Sequence, residues 1–139
     1  MPTHRLSRSA FERLQAEHLD LTTRGRIEVA QKIQRAREMG DLKENGDYHA
    51  AKDEQGHMEG RIRQLESMLE NAEIIEASAS GTVDLGCIVA IVYEGDDDDM
   101  AERYLIGHVE EKPADPRVSV MSPSSPLGAA LIGSATGAT

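Results

Sequence analysis

A sustained heptad pattern in the middle of the chain constrains the fold more than any other feature. Two interleaved sets of mostly apolar residues each recur every seven positions, namely Tyr48, Ala51, Gln55, Met58, Ile62, Leu65, Leu69 and Ala72. Such an a/d seam is typical of an α-helix that packs along a second helix in a coiled coil. The pattern therefore predicts a long helix and requires a partner for it.

The partner is predicted earlier in the chain, from Ser9 to about Met39. Ser9 and Glu12 have the spacing of a capping box, which marks a helix start. The stripe of this helix begins in 3-4 steps and changes to 4-4 steps, along Phe11, Leu14, His18, Leu21, Gly25, Val29, Ile33, Ala36 and Gly40. This change predicts a stutter, which locally unwinds a coiled coil.

Only the segment around Gly40 to Gly46 separates the two predicted helices, so they must fold back as an antiparallel hairpin. A helix of about 30 residues is about 45 Å long. We therefore expect residues 1–77 to form a coiled-coil finger whose tip lies near residues 38–47.

Residues 78–139 have a different sequence pattern, in which short runs of residues typical of β-strands replace the heptads. The predicted elements are two strands within Gly86 to Tyr93 and Ala101 to His108, an acidic turn at Glu94 to Asp99, a strand at Val118 to Met121, and a short helix or turn at Leu127 to Ile132. The expected fold class is α+β, with a helical hairpin followed by a small β-rich domain.

Charge and composition exclude several classes of protein. The 15 basic and 25 acidic side chains give a net charge of -10, which disfavours direct, non-specific nucleic-acid binding. The chain lacks an 18-residue apolar run and a secretory signal layout, so we predict a cytoplasmic protein without membrane attachment. The single Cys87 cannot form an internal disulfide, and we predict that it is a buried strand residue.

Four acidic residues recur every third position around the helix reversal: Glu38, Asp41, Glu44 and Asp47. Carboxylate oxygens are the ligands that Mg²⁺ prefers, but an exposed tip without a rigid cage should bind the ion weakly until a second partner completes the site. A structural interpretation stays open, because Asp41 with Glu44 also matches a capping box. Asn45 and Asp47 compete as caps for the second helix.

The tip sequence resembles the signature of the bacterial Gre-type transcript-cleavage factors. The resemblance is strongest over AREMGDLKENGDYHAAKDEQGHMEG at Ala36 to Gly60 and extends through RIRQLESMLENAEII at Arg61 to Ile75. It resumes more loosely over VSVMSPSSPLGAALIG at Val118 to Gly133.

The resemblance implies a finger that enters RNA polymerase through its secondary channel, and an FKBP-like C-terminal domain that docks at the channel rim. The acidic tip residues of the family match Asp41 and Glu44. By that match they help to hold the second catalytic Mg²⁺ of the polymerase and to orient water, so that a backtracked polymerase hydrolyses its own RNA near the 3′ end. The chain itself is then a monomeric accessory factor, not an enzyme, with no tightly bound cofactor.

The basic patch that this family directs at the RNA 3′ segment is matched by Arg37 and Lys52. Lysine at the second position keeps the charge but loses bidentate recognition of phosphate. Without the family, the pattern favours the interpretation that both residues are ordinary solvated helix charges. Tyr48 also matches, and we interpret it as the first core residue of the second helix.

The resemblance also has departures and rivals. Gre-type factors continue beyond the region of Gly133 into further strands, so we expect a shortened, incomplete C-terminal domain with unpaired strand edges. The rival functions are an inhibitor that uses the same channel, a prolyl isomerase, and a coiled-coil adaptor. We interpret Asp96 to Asp99 as a solvated loop, and the five histidines lack metal-ligand spacing.

Overall fold

The computed structural model describes residues 3–40, 45–77 and 81–139 and combines helices with small sheets. These residues belong to two compact units. One unit is Glu12–Asn71, and the other combines Met1–Phe11 with Ala72–Thr139. Among the described residues, no helix has the length and apolar character needed to span a bilayer.

The helical unit is the predicted hairpin. Its elements are α1 (Arg8–Asp20), a π-helical turn (Leu21–Gly25), α2 (Arg26–Glu38) and α3 (Gly46–Glu70). Ion pairs join the two sides with opposite numbering, from Glu17–Arg61 through Arg26–Glu59 to Lys32–Glu54. This order confirms that the helices run antiparallel.

The seam of the hairpin follows the predicted heptads. Ala51, Ile62 and Leu65 are buried, and the other five predicted positions on this side are half-buried. The facing stripe buries Leu14, Val29, Ile33 and Ala36, whereas Gly40, the last predicted position, is exposed. Met68 is also buried, although it lies one position before the predicted Leu69.

The predicted stutter coincides with the π-helical turn at Leu21–Gly25. A π-helical turn changes the phase of the apolar stripe without breaking the helix. The hydroxyls of Thr22 and Thr23 donate to the carbonyls of His18 and Leu19, at 2.7 and 2.6 Å. These bonds occupy carbonyls beside the irregular turn.

The predicted helix start is wrong by one residue, and the cap is a different serine. Helix α1 begins at Arg8, and the Ala10 N–H donates to Ser7 Oγ at 3.2 Å. Ser9 Oγ lies 3.2 Å from Ser7 Oγ. Ser7 was missed as the cap because it is also the last residue of a β-strand that the sequence did not predict.

That strand is β1 (His4–Ser7), which pairs in parallel with β2 (Ala72–Ile75). Leu6 of β1 is fully buried. Because both strands belong to the same compact unit as residues 81–139, the compact units differ from the predicted division after residue 77.

The C-terminal sheet has three strands in the order β3 (Ile88–Ile91), β4 (Glu102–Ile106) and β5 (Val118–Met121). Strands β3 and β4 are antiparallel, and β4 pairs with β5 in parallel. All three lie within the predicted runs. Cys87 corrects one prediction, because it precedes β3 and is only half-buried.

Two short helical segments complete this unit. A 3-10 turn, Asp98–Met100, lies in the predicted acidic connection between β3 and β4. Helix α4 (Pro126–Leu131) shows that the short helix or turn predicted at Leu127 to Ile132 is a helix. Ser125 caps it by accepting from the Gly128 N–H at 3.1 Å, and Pro126 occupies its first turn, where a missing N–H costs least.

Candidate functional site at the hairpin tip

The first side of the tip is the end of α2. The Met39 N–H donates to the Ala36 carbonyl at 3.2 Å and closes the last turn. Gly40 follows with φ +143°, a backbone conformation that residues other than glycine rarely adopt. The Met39 hydrogen bond and the Gly40 backbone conformation therefore end helix α2 before the acidic connection begins.

Asn45 fastens the second side of the tip to the first. Its Nδ2 donates to the Ala36 carbonyl at 2.5 Å, while its Oδ1 accepts from the Tyr48 N–H at 3.1 Å. One side chain thus caps both the end of α2 and the start of α3. Of the two predicted competitors, Asn45 is the cap and Asp47 lies in the first turn of α3, where its charge opposes the helix dipole.

The predicted catalytic and metal-binding residues, Asp41 and Glu44, lie outside the described residues. The two flanking acids are described: Glu38 and Asp47 are both exposed, and Glu38 Oε1 accepts from Gln34 Nε2 at 3.2 Å. The segment 41–44 connects Gly40 to Asn45 in the chain. Its two acids lie, in the sequence, between the two helix ends that Asn45 joins.

Arg37 and Lys52, the predicted RNA contacts, occupy different helices of the hairpin. The Arg37 guanidinium carbon lies 5.9 Å from the centroid of the Tyr48 ring, within the range of a cation–π contact. Lys52 Nζ donates to Gln55 Oε1 at 3.0 Å. Both basic side chains are exposed, so each charge can meet an anion at the surface.

Tyr48 is the first core residue of α3, as the sequence predicts. It is half-buried at the first seam position of α3, and its ring also contacts Arg37 and stands edge-on to His49, with centroids 5.7 Å apart. Because Tyr48 and Lys52 are four residues apart, they lie on one face of α3. Tyr48 thus connects Arg37 to the packed seam.

Sequence reasoning missed Arg35, which lies with Arg37 in the last turn of α2. Arg35 borders a surface groove between α2 and α3, together with Lys32, Met39 and Asp47. Met39 is 72% exposed. The preference for cations at a helix C-terminus could have drawn attention to both arginines.

The donor chemistry at the tip suits Mg²⁺ but does not form a closed cage. Outside residues 1–2, 41–44 and 78–80, no three His, Cys, Asp or Glu side chains are grouped to hold a metal ion. Glu38 and Asp47 supply carboxylate oxygens, the donor type that Mg²⁺ takes. Because Mg²⁺ commonly uses one or two carboxylates with waters and phosphates, the residues fit an ion shared with a partner.

Comparison with known proteins accounts for nearly the whole chain. Residues 4–74 match the family model for the N-terminal part of transcription elongation factors, and residues 78–139 match that for the C-terminal part of GreA/GreB. The transcription elongation factor GreA of Streptomyces avermitilis is 46% identical over 133 residues, which cover 95% of this chain and 79% of the relative. GreA of Mycolicibacterium smegmatis is 46% identical over 132 residues, covering 95% and 80%.

Solved structures of the transcription factor Gfh1 have a similar fold. One aligns with a TM-score of 0.52 at 26% identity and covers 95% of this chain and 83% of Gfh1. Gfh1 of Thermus aquaticus aligns with a TM-score of 0.50 at 26% identity and covers 99% and 86%. Together with the two family matches, these similarities show that the chain belongs to the GreA/GreB family of transcription elongation factors, which act on RNA polymerase.

Proposed function

We propose that this elongation factor stimulates RNA polymerase to cleave the 3′ end of its own transcript in backtracked complexes. The observation that carries the proposal is the Asn45 clamp, which joins both helix ends on either side of the acidic segment 41–44. A narrow helical hairpin that ends in carboxylates is suited to deliver them through a channel. The secondary channel of the polymerase is the route we propose, from the cytoplasm and as a monomer.

The proposed role of Asp41 and Glu44 is to complete a metal site that the polymerase only partly supplies. Their carboxylates would hold the second Mg²⁺ of the polymerase active site, which supplies an activated water and stabilises charge on the phosphodiester. The factor would contribute position and charge, because no tightly bound cofactor and no catalytic group of its own are needed.

Arg37 and Lys52 would act on the RNA itself. Exposed cations beside a carboxylate tip can hold the phosphates of an extruded 3′ segment and prevent the acids from repelling it. The Tyr48 ring holds the Arg37 guanidinium beside the start of α3, which limits the freedom that the side chain would lose on binding RNA.

The proposal is tested with purified, backtracked polymerase that carries end-labelled RNA. We expect Asp41→Asn and Glu44→Gln each to lower the stimulated cleavage rate at least about a hundredfold, a loss typical of removing a preorganised charge-stabilising group. Binding to the polymerase should change little. The matched control is Asp53→Asn, which removes an equal charge from the exposed side of α3 and should leave cleavage unchanged.

Each alternative function has its own outcome in that experiment. Full cleavage by both tip variants, or equal loss of binding and cleavage, would contradict the proposed role of the carboxylates. Slower nucleotide addition without cleavage would identify an inhibitor of the channel. If the protein changed neither cleavage nor nucleotide addition by the polymerase, the result would favour a coiled-coil adaptor. For a prolyl isomerase the described aromatic residues are poorly placed, since Tyr93 is 52% exposed and the Tyr104 hydroxyl donates to Glu102.

A second experiment separates an accessory factor from an enzyme. The free protein, incubated with labelled RNA and Mg²⁺, should cleave nothing and should bind Mg²⁺ only weakly, because flexible carboxylates do not close a coordination shell. RNA cleavage by the free protein that disappears in Asp41→Asn would contradict the accessory role.

A further inference from the structure

Two histidines in the C-terminal unit form a direct contact that the proposed function does not use. His4 Nδ1 of β1 lies 2.9 Å from His108 Nε2, and the two ring centroids are 5.1 Å apart at an interplanar angle of 62°. Both side chains are half-buried. The contact joins β1 to the turn formed by residues 108–111, which Gly107 separates from β4.

The hydrogen-bond partners assign the protons on both rings. The backbone N–H of Glu110 lies 3.0 Å from His108 Nδ1 and can only donate, so that nitrogen accepts and carries no proton. A neutral His108 therefore carries its proton on Nε2 and donates to His4 Nδ1. His4 in turn accepts at Nδ1, so the complete chain of bonds requires both imidazoles to be neutral.

Any added proton costs a bond in this chain. A proton on His108 Nδ1 would face the Glu110 N–H, and a proton on His4 Nδ1 would face the His108 Nε2–H. A charged His4 could donate from its Nδ1 to His108 Nε2 only if His108 moved its own proton from Nε2 to Nδ1. His108 Nδ1 could then no longer accept from the Glu110 N–H, so that hydrogen bond would be lost. Two protons would break both bonds and place two cations on adjacent rings.

The surroundings of His108 oppose its cationic form on balance. Burial lowers the pKa of His108, and the neighbouring histidine lowers it further, whereas Glu110 and Glu111 raise it. Arg5 and Asp84, of opposite charge, line the same surface groove as His108. The pKa of His108 thus lies below its ordinary value.

A second contact fastens the same strand to the same turn. Glu111 is buried, with 9% of its surface exposed. Its Oε2 accepts a hydrogen bond from the Ser7 N–H at 2.9 Å, and its Oε1 accepts one from Ser7 Oγ at 2.6 Å. The Ser7 amide therefore reports whether β1 is seated on the turn. Ser7 directly precedes helix α1.

We propose that the His4–His108 contact is a pH-sensitive latch, which holds β1 on the turn 108–111 at neutral pH and releases it on acidification. A folded state that binds fewer protons than the released state is favoured at higher pH. The contribution of the latch is fully present above about pH 6.5, the ordinary histidine value, and is lost as the pH falls below it.

The latch is tested on the full chain by amide hydrogen exchange and by nitrogen NMR of the imidazole rings between pH 7.5 and 5.5. This window lies above the ordinary titration range of carboxyl groups, about pH 4. After correction for intrinsic exchange, the protection of the Ser7 amide should fall by up to about tenfold per pH unit for each proton taken up. At pH 7.5 the NMR spectrum should show His108 protonated only at Nε2.

The matched variants replace titratable rings by amides. In the double variant His4→Asn with His108→Gln, an amide oxygen and an amide N–H replace the bonded ring nitrogens, so the pH dependence should disappear. His57→Asn, at an exposed position on α3, should behave like the unchanged protein. Protection of Ser7 that is independent of pH in the unchanged protein, an undiminished slope in the double variant, or a proton on His108 Nδ1 at pH 7.5 would overturn the proposal.

Discussion

Arg61 of α3 donates two parallel hydrogen bonds to Glu17 of α1, from Nε to Oε2 at 2.7 Å and from Nη2 to Oε1 at 2.8 Å. This fork geometry is specific to arginine. The two side chains are 28% and 36% exposed, which makes the pair less solvated than the Arg26–Glu59 and Lys32–Glu54 pairs. The pair therefore helps to fix the register in which the hairpin closes.

The first prediction is that this pair couples more strongly than a single-point pair on the same hairpin. A double-mutant cycle of Glu17→Gln with Arg61→Met, which removes the charge and the donors but keeps an apolar stem, should give a coupling near 1 kcal/mol, the upper part of the range for partly exposed pairs (about 0.2–1 kcal/mol). The matched cycle on Lys32 and Glu54, whose side chains are half exposed, should give about 0.3 kcal/mol or less. Urea unfolding measures both cycles, and equal coupling energies would contradict the prediction.

A second prediction concerns the Asn45 clamp at the tip. Asn45→Ala removes the helix cap and the bond to Ala36, so it should lower the free energy of unfolding by about 1–2 kcal/mol. Asn45→Asp keeps an acceptor for the Tyr48 N–H but loses the donor, and it should cost about half as much. Chemical denaturation of the two variants checks the order. A larger loss for aspartate than for alanine would show that the cap contributes little.

The hairpin could be predicted from sequence because its packing repeats locally. Seven-residue spacing reports the seam directly, so Ala51, Ile62 and Leu65 were found without knowledge of their partners. The change of step near Leu21 likewise marked the π-helical turn. The tip signature identified candidate residues by type and spacing.

Other features depend on contacts between distant parts of the chain. Strand β1 has only four residues and pairs with β2 across the entire hairpin, so no local alternation distinguishes it. Ser7 could not be recognised as the cap of α1 because its role depends on where β1 ends. The His4–His108 contact joins residues 104 positions apart, and composition gives no indication of it.

A third prediction tests the seam itself. Ile62 and Leu65 are 1% and 0% exposed, so Ile62→Asp or Leu65→Asp would bury a carboxylate among apolar side chains and should unfold the hairpin. Circular dichroism at 222 nm should lose most of its helical signal. The control is Arg63→Asp at an exposed position, which should cost about 0.5 kcal/mol, partly from repulsion by Glu59 one turn earlier. Unchanged melting of the seam variants would refute this register.

The last prediction concerns Gly128 in α4, where the backbone of the C-terminal unit leaves no space for a side chain. A Cβ at this buried position would lie 2.0 Å from the Ser122 carbonyl oxygen and 2.9 Å from Ser125 Oγ, the atom that caps α4. Relief of the overlap requires movement of backbone and loss of the cap, so Gly128→Ala should destabilise the C-terminal unit by about 2–3 kcal/mol. Gly56→Ala is the matched control, since its Cβ would meet nothing within 4 Å and alanine favours a helix by about 1 kcal/mol. Thermal unfolding should therefore move in opposite directions for the two substitutions. A neutral Gly128→Ala would mean that α4 can shift away from Ser122 without cost.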